Sequence, residues 1–292
     1  MTKLNNQICS YGFIGLGDMG NPIATNLLKS NKELYVYDIS DLNSKSPKGA
    51  IKSKSILLLS KKVQVIFISV PDGESSYKVI KEIVNNNNNK LKAIINLSTV
   101  GVKDTKQITD MLSNTGVEYI DAPVSGGKTG AINGSITVMW SGSKKIYNIV
   151  KNDISYFARS IFYMGDVPGQ GQVMKLMNNF LSAVAITSTS EAIKLGLKCD
   201  LDMKTMLEVL NVSTGLNSAT LDKFPNRILT KTYDAGFKMS LMNKDVGLYI
   251  NEARNNNVST NIAEVVNNYF QKGQKSIPSG DFTEIFKIVS KT

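Results

Sequence analysis

No histidine occurs anywhere in the 292 residues. That absence removes every Ser-His-Asp triad, every hydride site built on a histidine–carboxylate pair, and every zinc site with imidazole ligands. Cysteine is nearly as scarce. Cys9 and Cys199 are the only two, and they stand 190 residues apart. They cannot make a four-thiolate zinc or iron–sulfur site and fit no redox or metal spacing, so they read as buried or incidental thiols. No metal site is expected. The scarcity also fits an intracellular chain without disulfide staples, and we expect a cytoplasmic protein. Arginine appears three times, at Arg159, Arg227 and Arg254. The guanidinium forks that read guanine edges are therefore almost missing. No stretch approaches the ~18 uninterrupted apolar residues of a membrane span. The leader from Met1 to Gln7 is polar with one lysine, which reads neither as a signal peptide nor as an Arg-rich transit peptide.

What is present is ordinary core material, 42% hydrophobic, in a length that suggests two domains. The formal net charge is +10, from 34 basic and 24 acidic side chains. It is uneven: residues 1–165 carry 20 basic and 12 acidic groups, residues 166–292 carry 14 and 12. The lysines are scattered, with a loose cluster between Lys45 and Lys62. No nucleic-acid partner is expected. A mild positive field that attracts small anions is the better use of the charge.

The first half alternates strand-like and helix-like segments. Residues 11–16 form an apolar run ending in glycines, and 21–30 reads as a helix with Pro22 in its first turn. Residues 34–37, 63–70, 93–97, 119–124, 135–140 and 161–164 are further strand candidates, most of them separated by helical patterns. Interleaving of this kind argues a parallel sheet covered on both faces. The asparagine run 85–89 reads as a solvated loop expansion. Near Gly165, Pro168, Gly169 and Gly171 the pattern changes. Residues 172–197 can run as one long helix, shorter helices come after it, and a Gly/Pro-marked loop lies near 276–280. The expectation is an α/β domain with a Rossmann-type parallel sheet over 1–166, then an all-α domain over 167–292, joined through the long interdomain helix.

Gly15, Leu16, Gly17, Asp18, Met19 and Gly20 spell G-x-G-x-x-G after a strand and at the start of a helix. The first glycine permits the tight turn, the second leaves room for a pyrophosphate, and the third lets helix and strand pack. The helix N-terminus supplies N–H groups and a positive dipole end. Asp38 lies at the end of the second strand. A carboxylate there accepts hydrogen bonds from ribose hydroxyls and repels a 2′-phosphate, which favours NAD over NADP.

Four segments, in order, resemble the β-hydroxyacid dehydrogenase family, whose members include 3-hydroxyisobutyrate dehydrogenase and tartronate semialdehyde reductase. The first runs Gly12, Phe13, Ile14 into the glycine motif and on to Ala24 and Asn26. The second is Asp121, Ala122, Pro123, Val124, Ser125, Gly126, Gly127, then Gly130, Ala131, Gly134 and Ser135. The third is Gly169, Gln170, Gly171 with Lys175, Asn178 and Asn179. The fourth is Phe237, Leu241, Lys244 and Asp245. The resemblance implies that Ser125, Gly126 and Gly127 bind a substrate carboxylate through hydroxyl and backbone N–H groups. It implies that Lys175 is the catalytic acid/base and that Asn179 holds the substrate and Lys175 in place. Thr99 would meet the nicotinamide end of the cofactor, Val70 and Pro71 would line the adenine–ribose side, and Lys244 would close over nicotinamide and substrate. The implied activity is hydride transfer between NAD and a small 3-hydroxy acid or its semialdehyde, with the substrate in the cleft against the helical domain. The implied assembly is a homodimer or homotetramer. The residues agree with this in one respect: positions 175, 178 and 179 share a helix face, and a partly desolvated lysine can exchange a proton with an alcohol near neutral pH.

The chain departs from many relatives at Asn96, Ile23 and Leu216. Leu216 replaces an arginine and puts any specific substrate name in question. Tyr147 and Lys151 fit the Y-x-x-x-K of short-chain dehydrogenases. Gly12, Gly15, Gly17 and Gly20 do not match that family's glycine spacing, so the two read as helix-surface residues. Phosphogluconate-processing relatives carry a histidine after the lysine, and this chain has none. The alternatives that stay open are a tartronate or succinic semialdehyde reductase and an NAD-binding module without catalysis. Retention of Lys175 argues against the latter.

Overall fold

The computed structural model describes residues 8–40, 42–84 and 90–289. The leader through Gln7 and the asparagine run 85–89 lie outside the described residues. Among the described residues nine strands form one sheet: β1 Ser10–Ile14, β2 Glu33–Tyr37, β3 Ile51–Lys52, β4 Val65–Ile68, β5 Ala93–Asn96, β6 Glu118–Asp121, β7 Val124–Ser125, β8 Ile136–Ser141 and β9 Ala158–Gly165. The order is β3-β2-β1-β4-β5-β6-β8-β7, with β9 also paired to β8. The six strands from β3 to β6 are parallel. The expected parallel sheet is there, and one local departure from it is β8, which runs antiparallel to β6 and β7. The reason is the connection. Only the short helix Gly127–Asn133 separates β7 from β8, and a parallel crossover needs a dozen or more residues.

The central strands explain their own burial. Tyr11, Phe13, Val65, Phe67, Ala93 and Ile95 join one apolar cluster, while Ile14, Ile66, Ile68 and Ile94 join another. Successive side chains point to opposite faces, so a strand apolar at every position is a strand covered on both sides. Phe67 ties the first cluster together, with Tyr11 at 5.5 Å, Phe157 at 5.9 Å and Phe13 at 6.1 Å between ring centroids. The strand order reverses direction between β1 and β4. In open sheets of this kind the ligand crevice lies outside the carboxyl ends of the strands at that point.

The chain divides into two compact units, Met1–Lys175 and Leu176–Thr292, and the division falls inside one continuous helix, Gln170–Lys198. At ~1.5 Å per residue its 29 residues span about 43 Å. Among the described residues the last strand ends at Gly165, and the chain beyond it is helical: Met203–Asn211, the wide-turned Ala219–Ile228, Met239–Asn255 and Asn261–Ser276 come after the long helix. The second unit has its own core. Ala183, Ile186 and Ile193 of the long helix pack with Leu207, Phe224, Val246, Val266 and Phe270. Among the described residues no helix is long and apolar enough to cross a membrane. Cys9 and Cys199 are both exposed, which corrects the buried alternative for these thiols.

Candidate active site

The glycine motif follows β1 and opens the helix Gly20–Leu27. Its three glycines meet three different surroundings. Gly15 has φ +92°, and a Cβ there would stand 2.1 Å from the Ser69 carbonyl oxygen. A Cβ on Gly20 would stand 1.9 Å from the Gly15 carbonyl oxygen. Both positions are closed to side chains by backbone. A Cβ on Gly17 would meet nothing within 4 Å. Gly17 therefore faces open space beside a helix N-terminus, which is the arrangement a pyrophosphate requires. The residues present fit a dinucleotide.

Asp38, just beyond β2, locks onto this turn. Its Oδ2 accepts from the Leu16 amide at 2.6 Å, and its Oδ1 accepts from the Ser40 amide at 2.8 Å and the Ser40 hydroxyl at 2.5 Å. Lys45 Nζ lies 3.7 Å from Oδ1. Burial raises the carboxyl pKa, but the Ser40 hydroxyl, the two amides and Lys45 outweigh it and hold the group below the usual aspartate value. A carboxylate offers about four acceptor positions. Donors among the described residues occupy three of them.

Further hydrogen bonds run along the carboxyl ends of the strands. The Gly15 amide donates to the Tyr37 carbonyl at 2.9 Å, and the Ser69 amide to the Ile14 carbonyl at 2.9 Å. The Val70 amide donates to Ser98 Oγ at 2.9 Å. Val70 and half-buried Thr99 are thus held one strand apart, at the ends of β4 and β5, with Pro71 exposed beside Val70. Gln172, in the first turn of the long helix, accepts from the Val100 amide at 2.9 Å and the Gly101 amide at 3.1 Å, and donates to the Ser98 carbonyl at 3.1 Å. Asp121 closes the series from the end of β6. It accepts from the Ser141 hydroxyl, from the Gly169 amide at 2.7 Å and from the Gln172 amide at 2.8 Å. Burial drives the Asp121 carboxyl up to about 6 against those hydrogen bonds.

Ser125, Gly126 and Gly127 sit where β7 enters the helix Gly127–Asn133, with φ +128° at Gly126 and +62° at Gly127. Two contacts tie this segment to the glycine turn. Lys128 Nζ pairs with Asp18 Oδ1 at 3.0 Å, and Asn26 Nδ2 donates to the Ala131 carbonyl at 2.8 Å. Met19 is partly buried against the core and Asp18 is exposed.

Lys175 lies on the long helix, 8% exposed, three residues beyond Gln172. Burial of a lysine side chain is the condition that a proton carrier needs. In the second unit Asn179 Nδ2 donates to Asp245 Oδ2 at 2.6 Å, and Asn178 Nδ2 donates to Asn179 Oδ1 at 3.0 Å. Lys244 Nζ stands 3.2 Å from Asp245 Oδ1, an ion pair without an aligned hydrogen bond. Asn179 and Lys244 are thus joined through Asp245, which is 2% exposed. Sequence reasoning gave no role to Asp245, Gln172 or Asp121, although Asp121 and Asp245 stand in the motif segments. Only Asp121 carries a local signal, as a carboxylate at the end of an apolar strand. Tyr147 needs a correction as well. It is half-buried, edge-on to Trp140 and Tyr163, with Lys144 over its ring, so it serves packing instead of standing free on the helix surface. Among the described residues no three Asp, Glu or Cys side chains come together in a way that could hold a metal ion.

Residues 10–165 match a family model described as the NAD binding domain of 6-phosphogluconate dehydrogenase, and residues 169–289 match one described as NAD-binding of NADP-dependent 3-hydroxyisobutyrate dehydrogenase. The chain is 30% identical over 286 residues to 2-(hydroxymethyl)glutarate dehydrogenase of Eubacterium barkeri, covering 95% of this chain and 93% of that one. It is 30% identical over 250 residues to 2-hydroxy-3-oxopropionate reductase of Escherichia coli, covering 83% and 84%. Among solved structures, Mycobacterium tuberculosis 3-hydroxyisobutyrate dehydrogenase with L-serine superposes with a TM-score of 0.86 at 22% identity, over 98% of this chain and all of that one. At that identity the likeness speaks for the fold.

Proposed function

The chain belongs to the β-hydroxyacid dehydrogenase family, and from that premise we propose that it is an NAD-dependent oxidoreductase acting on a small 3-hydroxy acid of the 3-hydroxyisobutyrate kind or its semialdehyde. The dinucleotide, when bound, supplies the hydride acceptor or donor. The amides of the glycine turn and the N-terminus of Gly20–Leu27 hold its pyrophosphate, and the Asp38 carboxylate takes a ribose hydroxyl. Val70 and Pro71 line the adenine–ribose side, and Thr99 stands at the nicotinamide end. Ser125 and the amides of Gly126 and Gly127 bind the substrate carboxylate, for which a nest of N–H groups needs no arginine.

Lys175 is the proton carrier. Its Nζ accepts the hydroxyl proton as the alcohol becomes a carbonyl, and returns it in the opposite direction. Asn179 holds the substrate, and Lys244 closes the nicotinamide end. The observation that carries the reading is the placement of Lys175. It is buried, in the same unit as the dinucleotide turn, on a helix whose first turn hydrogen-bonds the loop bearing Thr99. The preference for NAD rests on Asp38, while the description matched by the helical half names NADP-dependent enzymes. We further propose a homodimer or homotetramer in the cytoplasm.

Rates of dinucleotide reduction across 3-hydroxyisobutyrate, glycerate, 4-hydroxybutyrate, threonate and serine test the reading. A distinct preference for one 3-hydroxy acid supports it. Preference for a semialdehyde in the reverse direction supports the reductase variant, for which the match to 2-hydroxy-3-oxopropionate reductase speaks. Flat, negligible rates in both directions would favour a module that binds the dinucleotide without catalysis.

A further inference from the structure

The proposed hydride transfer uses neither Asp121 nor Gln172, yet both are buried and hydrogen-bonded through every arm of their side chains. Helix starts leave amides without intrahelical partners, and a side chain of the preceding turn usually satisfies them. Here the cap comes from the sheet. The Gly169 and Gln172 amides donate to Asp121, and the Gly171 amide donates to Ser141 Oγ at 2.9 Å, itself bonded to Asp121. The contact has no slack. A Cβ at Gly171 would stand 2.4 Å from the Met139 carbonyl oxygen and 2.8 Å from Asp121 Oδ2. Gln172 then grips the other side, bracketing Thr99 with its bonds to Ser98, Val100 and Gly101. Lys175 comes one turn later, about 4.5 Å further along the axis.

We propose that Asp121 and Gln172 are positioning residues, which fix the height and rotation of the long helix and so set Lys175 against the loop 98–101. The inference rests on the reading of Lys175 as proton carrier. Two anchors on one turn, one to β6 and one to the loop 98–101, restrain both its translation and its rotation. A misplacement of ~1 Å at a reacting group costs on the order of 100-fold in rate. Asp121 accepts from three donors, and those hydrogen bonds favour its ionised form. The groups around it are Tyr119 on its own strand, Ser141 of β8 and the helix amides. Asp104 of the helix Val102–Leu112 acts on Tyr119, and Lys175 is the first cation along the long helix.

The test compares wild type with Asp121→Asn, Gln172→Met, the milder Ser141→Ala and a Lys175→Ala control. With 3-hydroxyisobutyrate and NAD, the first two variants should lose about tenfold or more in kcat, with KM and the calorimetric Kd for NAD within about threefold. The wild-type rate should fall below about pH 6, and Asp121→Asn should lack that limb. A second readout needs neither substrate nor dinucleotide. Acetic anhydride labelling followed by mass spectrometry gives the pH dependence of Lys175 reactivity, referenced to Lys194. In Asp121→Asn and Gln172→Met the Lys175 profile should shift while Lys194 stays put, and Ser141→Ala should show a smaller shift of the same kind. Unchanged kcat, pH profile and Lys175 reactivity in these variants would overturn the inference. Normal turnover by Lys175→Ala would sink the functional reading instead, and the labelling result would still decide whether the anchors position Lys175.

Discussion

The chain contains no histidine, and Asp121 is a carboxyl that burial moves into the range between pH 5 and 7.5. Burial lifts its carboxyl from the ordinary 3.8 to about 6 in the folded protein. The native state therefore binds this proton more tightly than the unfolded chain does. Ionising the group on the way to neutral pH costs stability, and the loss begins near pH 4 and is complete above about pH 6. A separation of about two pH units corresponds to about 3 kcal/mol in all, of which about 1.4 kcal/mol falls between pH 5.0 and 7.5. The other shifted carboxyls, Asp38, Asp202, Asp222 and Glu264, are all lowered and titrate below the window. The wild-type protein should therefore be more stable at pH 5.0 than at 7.5 by about that amount. In Asp121→Asn, where the amide does not titrate, that contribution of about 1.4 kcal/mol should be lost. Urea unfolding followed by fluorescence reads it directly, because the single tryptophan, Trp140, is fully buried in β8 of the same unit. Parallel pH dependences for wild type and variant would refute the burial argument.

Two further outcomes separate the roles of neighbouring residues. Gly17→Ala should melt within a degree or two of wild type, since its Cβ meets nothing, yet weaken dinucleotide binding at least about tenfold. Gly20→Ala, driven into the Gly15 carbonyl, should lose several degrees in Tm. Wild type should turn over faster with NAD than with NADP, and Asp38→Ala should narrow the ratio of their kcat/KM values. A wild-type preference for NADP would show that the Asp38 carboxylate does not govern the choice.

The parts of this molecule that were legible in the sequence are those set by local rules. Residues 15–20 declare themselves because glycine is the only residue that fits at 15 and 20. The long helix is legible because the apolar positions 183, 186 and 193 repeat on one face. The two-residue strands β3 and β7 were not legible, since two residues show no period. Nor was the reversal of β8, which depends on how little chain joins it to β7. The anchors escaped for a different reason. Asp121 finds its partners 48 and 51 residues away, and Asn179 finds Asp245 66 residues away. A carboxylate reads as solvated until the fold shows that it is buried. Tyr11 is the same case: it looks like an apolar strand residue, and its hydroxyl donates to buried Asp153 on a helix 142 residues on.

Lys175 carries the proposed chemistry, and its replacement is the most direct test. Lys175→Ala should retain the wild-type Kd for NAD within about threefold and lose on the order of 100- to 10,000-fold in kcat with the preferred 3-hydroxy acid. The loss should persist at every pH between 5 and 9. A variant that keeps more than about a tenth of the wild-type kcat would contradict the assignment of Lys175 as proton carrier.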